Sequence, residues 1–436
     1  MFPSPLFIAL WSFGIIPLIL APFYPALFGI ILLYDLSIIL LLIIDHKLTP
    51  NSKNFEIERI TPNTSLQNHP TPITIMLKNL TSSDIILSLA DEIPAHSESS
   101  KKQFNFTLQA KKTSTLKYTL TTSMRGDLFF GVLRIDLKSK LGLFIRNIRF
   151  STKQQLSVYP SLIALKKYDL LARTQRIAQG GLRLLKRQGK GSEFERLREY
   201  THDDQYKDIN WKATAKRRLP ITQVYQTERS QNLMIVLDFG RTMGNKIGSQ
   251  SKLDIAIESA LLLCHVAQHL EDRFGLLLFS HKAQRFIAPQ KGQQHFQRIL
   301  KALYNLEPLS YDIQYRELFR FLATQHRKRS LVVFFTDLGD EEAAEQMQRY
   351  MPLLKPTHLP LCISISDPSI IQRSTKTPQT KEELFLRGAA LELLQQREHI
   401  IASLRQNGVL FIDQPPEQIS PETINQYLNI KAKQLL

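Results

Sequence analysis

Residues 231–244 read QNLMIVLDFGRTMG, and this stretch decides how the second half of the chain folds. Leu233 to Leu237 is an unbroken apolar run, the pattern of a strand buried on both faces. It ends on Asp238, and Gly240, Thr242, Met243 and Gly244 follow as a turn. An acidic residue at the carboxyl end of a buried strand, before a small and hydroxyl-bearing turn, sits where α/β proteins hold ligands or metal ions. The run Leu331 to Thr336 repeats the pattern and ends on Asp337. Around these two, the spacing predicts strands over 274–279, 285–287, 359–365 and 409–412, the last ending on Asp413. It predicts helices over 252–270, 293–305, 315–326, 341–350, 381–406 and 421–435. Strands joined by helices give a parallel sheet covered on both faces, here over 231–436. Parallel strands share one carboxyl edge, so Asp238 and Asp337 are expected to converge.

Upstream, residues 161–230 form a basic linker and a charged segment. Residues 161–190 read as helical and basic, with Gly180-Gly181 and Gly189-Lys190-Gly191 as joints. Then Glu193, Glu195, Arg196, Arg198 and Glu199 alternate in sign, with Phe194, Leu197 and Tyr200 as apolar partners. Asp203, Asp204, Asp208, Asn210 and Trp211 follow, then Lys212, Lys216, Arg217 and Arg218. One reading is a carboxylate-rich catalytic or metal site on His202, Asp203 and Asp204. The other is an ion-pair network docking this segment onto the next domain, which adjacent side chains pointing in different directions favour.

Residues 53–160 change to short alternating runs, including 73–77, 104–108, 116–120, 132–137 and 156–159, punctuated by turn residues. That pattern predicts an antiparallel β-sandwich. No catalytic grouping appears in it.

Residues 6–44 are almost wholly apolar, about twice the roughly 20 residues that one membrane-spanning helix needs. Pro22 and Pro25 split the run, which predicts a transmembrane hairpin within 1–46, with spans 6–22 and 26–44. Asp35 lies inside the second span, and an intramembrane carboxylate is a functional suspect unless it pairs with a polar neighbour.

The chain has 436 residues and a formal net charge of +17. Such a balance favours polyanions, anionic lipid or acidic partners, and also suits a membrane protein that keeps its Lys and Arg on the cytoplasmic side. Cys264 and Cys362 both sit in apolar segments that read as core. No Cys/His grouping has zinc spacing, and no phosphate-binding Gly-x-x-x-x-Gly-Lys-Ser/Thr loop exists.

The layout of 231–436 resembles a von Willebrand factor type A domain. In that family the first strand ends in Asp-x-Ser-x-Ser and a later one in Thr-Asp-Gly, and a loop threonine completes a divalent-cation site that a partner carboxylate joins. The resemblance implies that Asp238, Thr242 and Asp337 correspond to ligands of a magnesium ion. Gly240 stands where the first serine would be, and Asp312 is the candidate for the missing loop ligand. A weak magnesium site and a site whose fold serves protein contact alone both stay open. More widely, the amino-terminal hairpin, Arg125-Gly126, Leu141-Gly142-Leu143-Phe144, Val158-Tyr159-Pro160, SEFERLREY, Asp203-Asp204, INWKATAKR and LDFGRTM resemble the domain-of-unknown-function-58 family. Its distinctive segment here carries Glu193, Phe194, Leu197, Arg198, Tyr200, Asp203, Asp204, Asn210, Trp211 and Lys216. Members are prokaryotic membrane-associated proteins typically encoded beside MoxR-type AAA+ ATPases. The resemblance implies a non-enzymatic adaptor or chaperone-like scaffold in the inner membrane, with cytoplasmic domains and that ATPase as partner. A metal-dependent hydrolase or nuclease using Asp203, Asp204, Asp208 and Asp238 is the enzymatic alternative. Nonspecific polyanion binding is the third, although no nucleic-acid recognition motif supports it.

Overall fold

The computed structural model describes residues 2–15, 27–161, 165, 193–201, 206–217, 219–226, 231–337 and 341–435. The chain divides into two compact units, Met1–Ser161 and Leu162–Leu436.

The first unit is a β-domain carrying the apolar helices. Strands Phe55–Ile60, Thr71–Asn79, Thr113–Thr122 and Ser97–Ser99 form one antiparallel sheet. Phe144–Phe150, Leu133–Lys138, Ile85–Asp91 and Gln103–Leu108 form a second. Alternate residues from both, such as Ile73, Ile75 and Leu77 against Leu87, Leu89 and Ile135, are buried in one shared core. The expected antiparallel sandwich needs one correction, because Thr64–Leu66 pairs parallel with Gln154–Tyr159 in a small third sheet. Inside the core lies a charged pin. The Arg59 guanidinium is fully buried, donates to Asp91 and to the Thr152 and Gly131 carbonyls, and stands over the Phe130 ring. Tyr118 donates its hydroxyl to the same Asp91.

The apolar stretch yields helices Pro5–Phe13 and Leu27–Leu48, with 16–26 outside the described residues. The second has 22 residues, roughly 33 Å at the α-helical rise, and is long and apolar enough to cross a membrane. It runs beyond residue 44 because its base is fixed to the β-domain. Asp45 is fully buried and accepts from the backbone N–H groups of Leu141, at 2.8 Å, and Leu143, at 3.3 Å. Gly142 sits between them at φ 77°, a conformation a side chain would resist, so the turn can aim both N–H groups at one carboxylate. Arg146 then donates to the carbonyls of Thr49 and Pro50. The other end of the apolar stretch meets the same turn: Phe2–Pro3 pairs with Phe144 and Ile145, and Ser4 donates to the Leu143 carbonyl. Tyr34 donates to the Leu10 carbonyl across the two helices, while Asp35 is exposed.

In the second unit, the charged segment is a hairpin. Glu193–Glu199 pairs antiparallel with Ile221–Gln226, with a bulge between Phe194 and Arg196. The basic helix expected over 161–190 lies outside the described residues except at 165. The α/β part is a six-stranded sheet in the order Ala283–Gln290, Arg273–Phe279, Asn232–Asp238, Leu331–Phe335, Leu359–Ile365, Leu410–Gln414. Five strands are parallel, and the edge strand Ala283–Gln290 runs antiparallel, so the sheet is mixed. Gly275 permits that edge to close, since a Cβ there would lie 2.6 Å from the Ile287 carbonyl oxygen. The helices fall close to their expected ranges, with two departures. A short helix Pro368–Thr375 is added, and the last helix begins at Pro416 rather than near 421, tolerating Pro421 inside its first turns. That helix is pinned by Tyr427 and Lys431, both of which donate to the fully buried Asp272.

Candidate functional site

The strand order places the strands ending in Asp238 and Asp337 side by side at the sheet centre. Leu237 pairs with Phe335, so both aspartates leave the same carboxyl edge on adjacent strands. The connections diverge from this point, towards 273–279 on one side and 359–365 on the other. Such a switch point leaves a crevice at the strand ends, where open α/β sheets bind their ligands.

The two carboxylates have different surroundings. Asp238 is 2% exposed. Its Oδ1 accepts from the Gly240 N–H at 2.8 Å, and its Oδ2 from the Thr336 hydroxyl at 2.8 Å, which in turn meets the Tyr315 hydroxyl. Burial pushes its pKa up to about 6, against the two hydrogen bonds that favour the ion and with the Asp337 and Asp312 charges adding to the rise. Asp337 instead has fixed cations. Its Oδ2 accepts from the Lys252 ammonium at 2.6 Å, and its Oδ1 faces Arg397 Nη1 at 3.5 Å. Arg397 also forks onto Asp413 and donates to Ser364. Burial works against its charge, yet Asp413 and Asp337 hold its pKa above the ordinary value. Arg397 thus joins Asp337 to Asp413, while Asp238 keeps the separate partners Gly240 and Thr336.

Above this floor lies a cleft of about 530 Å³. It is lined by the largely buried Lys252, Asp337 and Arg397, and by the apolar side chains of Ile370, Ile371, Leu393, Leu394 and Ile400. The neighbouring protic side chains are not poised as nucleophiles. Burial keeps the Tyr315 phenol and the Cys362 thiol protonated.

The remaining candidates are placed as follows. Thr242 lies in the short turn Arg241–Gly244, half-buried. Asp312 pairs with Arg241 at 3.0 Å, half-exposed, which engages it away from Asp238. In the charged segment, Glu193, Phe194, Leu197 and Arg198 lie on the hairpin strand, and Tyr200 donates its N–H to the Pro220 carbonyl. Asn210 caps the helix Trp211–Arg217 by accepting from the Ala213 N–H, and Thr214 accepts from the Ile221 N–H. Trp211 is 58% exposed and packs edge-on to Tyr206, with Lys216 in the last turn. Asp203 and Asp204 lie outside the described residues. Among the described residues no group of three or more His, Cys, Asp or Glu could hold a metal ion.

The donor set at the switch point does not fit magnesium. That ion takes six oxygens at 2.0–2.1 Å, whereas Asp337 faces Lys252 and Arg397, and both Asp238 oxygens already accept hydrogen bonds. A serine at 240 would not restore the set, because its Cβ would lie 2.8 Å from the Tyr311 carbonyl oxygen.

Sequence reasoning missed Lys252 and Arg397. Lys252 did leave a signal: it is the first residue of the helix Lys252–His269, after the Ser251 cap. A cation there opposes the helix dipole and calls for a nearby carboxylate.

The chain is 27% identical over 194 residues to "Uncharacterized protein YeaD" of Bacillus subtilis (strain 168), covering 44% of this chain and 46% of that one. The chain thus spans about half the length of the curated relative it matches. Among solved structures, the CARDB domain of PF1109 from Pyrococcus furiosus matches at 12% identity and a TM-score of 0.17, over 24% of this chain and 94% of that one. The cupredoxin domain of amoB from Nitrosocaldus yellowstonii matches at 10% identity and 0.19, over 26% and 89%. Likeness at those scores carries no conclusion about this chain. Residues 196–372 match the family model described as "Protein of unknown function DUF58".

Proposed function

We propose that this protein is a membrane-anchored, non-enzymatic adaptor that docks a protein partner at the switch-point crevice of a von Willebrand factor type A-like domain. The carrying observation is the open cleft of about 530 Å³ over Asp337, Lys252 and Arg397 at the strand ends. It has apolar walls and a polar floor, the composition of a recognition pocket. The sheet order, with its antiparallel edge strand, agrees with the type A-like reading. Exposed Trp211 and Tyr206 beside Lys212, Lys216 and Arg217 offer a second contact, since such residues often dominate interfaces. The partner we favour is a MoxR-type AAA+ ATPase in a prokaryotic inner membrane. The anchor would be a hairpin: residues 2–4 and 45–50 both bind the turn around Leu143, so the apolar stretch leaves and returns at one place.

The test uses the full chain in detergent and the purified ATPase. Ile371→Glu on the cleft wall and Trp211→Ala both alter exposed side chains and should leave the melting temperature unchanged. Each should weaken binding by about tenfold or more, the scale of a hot-spot loss. Undiminished binding of both variants sinks the crevice and the charged segment as docking surfaces.

A further inference from the structure

We propose that the Lys252 ammonium is a built-in counter-cation of the switch-point crevice. It takes up Asp337, one of the residues that the type A resemblance assigns to an exchangeable magnesium ion, so the crevice works without metal. The part concerning partner docking rests on the adaptor reading above; the cation assignment does not.

Position is the first argument. Lys252 opens its helix, and its backbone N–H is held by the Asn245 carbonyl at 2.9 Å. The side chain reaches Asp337 Oδ2 at 2.6 Å, and both side chains are largely buried, 11% and 2% exposed. An ammonium pointed along the positive end of a helix, out of water, persists only where a carboxylate holds it.

The second argument is the disposition of the acidic oxygens. Asp337 Oδ1 faces Arg397, and the two Asp238 oxygens hold the Gly240 N–H and the Thr336 hydroxyl. Each of the four oxygens therefore already meets a donor or a cation from this chain. An entering magnesium ion would have to displace Lys252 from Asp337 Oδ2, with the Arg397 guanidinium beside the other oxygen. Nothing would replace the lost ligands, because the backbone at Gly240 has no room for a serine.

Third, the ammonium and a divalent ion differ in consequence. A metal gives a site that a chelator empties. A lysine gives one that no chelator affects and that holds its geometry at every metal concentration.

The experiment uses the full chain in detergent, with calorimetric titration of MgCl2 and MnCl2 and thermal melts in EDTA or in excess metal. Wild type should give no saturable heat and the same melting temperature in every condition. Lys252→Ala should melt several degrees lower, because Asp337 is left buried beside an opened space. It should gain saturable Mn2+ binding that restores part of the loss, and Lys252→Ala combined with Asp337→Asn should lose that response. Saturable wild-type binding with a chelator-sensitive melt would overturn the proposal. So would a folded Lys252→Ala that ignores both metals. Should Lys252→Ala fail to fold, the wild-type titration and Lys252→Met, which keeps the stem, decide the matter. A failure of the ATPase to bind metal-indifferent wild type would count against the adaptor reading alone.

Discussion

At the scale of single residues, burial rather than position in the sequence sets the chemistry. His326 shows this away from the crevice. It ends the helix Tyr315–Gln325, stacks on His358 at 5.3 Å and hydrogen-bonds the Ser330 hydroxyl at 2.7 Å. Burial, with the neighbouring His358, lowers its pKa to about 4. The folded state therefore holds fewer protons than the unfolded chain between about pH 4 and 6.5, and stability falls as the solution is acidified through that window. Lowering pH from 7 to 5 should cost about 2 kcal/mol through this group. Urea denaturation at a series of pH values should show the slope in wild type and a flatter one in His326→Gln; parallel slopes would contradict the assignment. Little of this is visible in the sequence, where His326 is the last residue of an expected helix, before the basic run Arg327-Lys328-Arg329. Asp238 was legible because it ends an apolar run. Its contrast with Asp337 was not, since Lys252 lies 85 residues from Asp337 along the chain.

Elements show how local signals acquire meaning from contacts. Leu141-Gly142-Leu143 reads as a turn within an all-β segment, yet it is the seat of the apolar helix, because its N–H groups converge on Asp45. Asp45→Ala would strand the part-buried Leu141 N–H and the buried Leu143 N–H, the latter at a cost of about 1–3 kcal/mol. Hydrogen exchange should then accelerate at residues 139–146 and around 45–50, while the Thr71–Asn79 and Thr113–Thr122 strands, which belong to another sheet, stay protected. Uniform protection in the variant would show that the carboxylate does not hold the helix base. In the charged segment, Asn210 and Thr214 act as a cap and a turn brace. Of the distinctive residues, Asn210 ties the helix to the hairpin and Trp211 is presented outward. The long helix Lys381–Gln406 was legible end to end, since Thr380 caps it through the Glu383 N–H and Gly408 follows at φ 77°. The start of the last helix was not, because Pro421 reads as a boundary although the helix runs through it from Pro416.

For the whole molecule, the proposed anchor is the reading with the largest consequence. The full chain should remain in the membrane pellet after alkaline extraction, and a chain beginning at Asn51 should move to the supernatant. Cysteines placed singly at Phe2 and Asn51 should react with an impermeant reagent from the same side of the membrane. Cys264 and Cys362 are buried and should contribute little background. Labelling from opposite sides would exclude a hairpin.

The sequence by itself determined the element types and their order. Unbroken apolar runs, period-2 alternation and capped helical stretches are local patterns, and local backbone preference with burial follows from them directly. It also placed two aspartates at strand ends, because a buried strand must end where a carboxylate can reach polar ground. Only the tertiary structure decided what those aspartates are bound to. Whether Asp337 faces water, a metal ion or an ammonium depends on which helix start and which mid-helix arginine the sheet order brings over the edge. Electrostatic partners act through space across a low-dielectric interior, and the chain separation between them leaves no periodic trace.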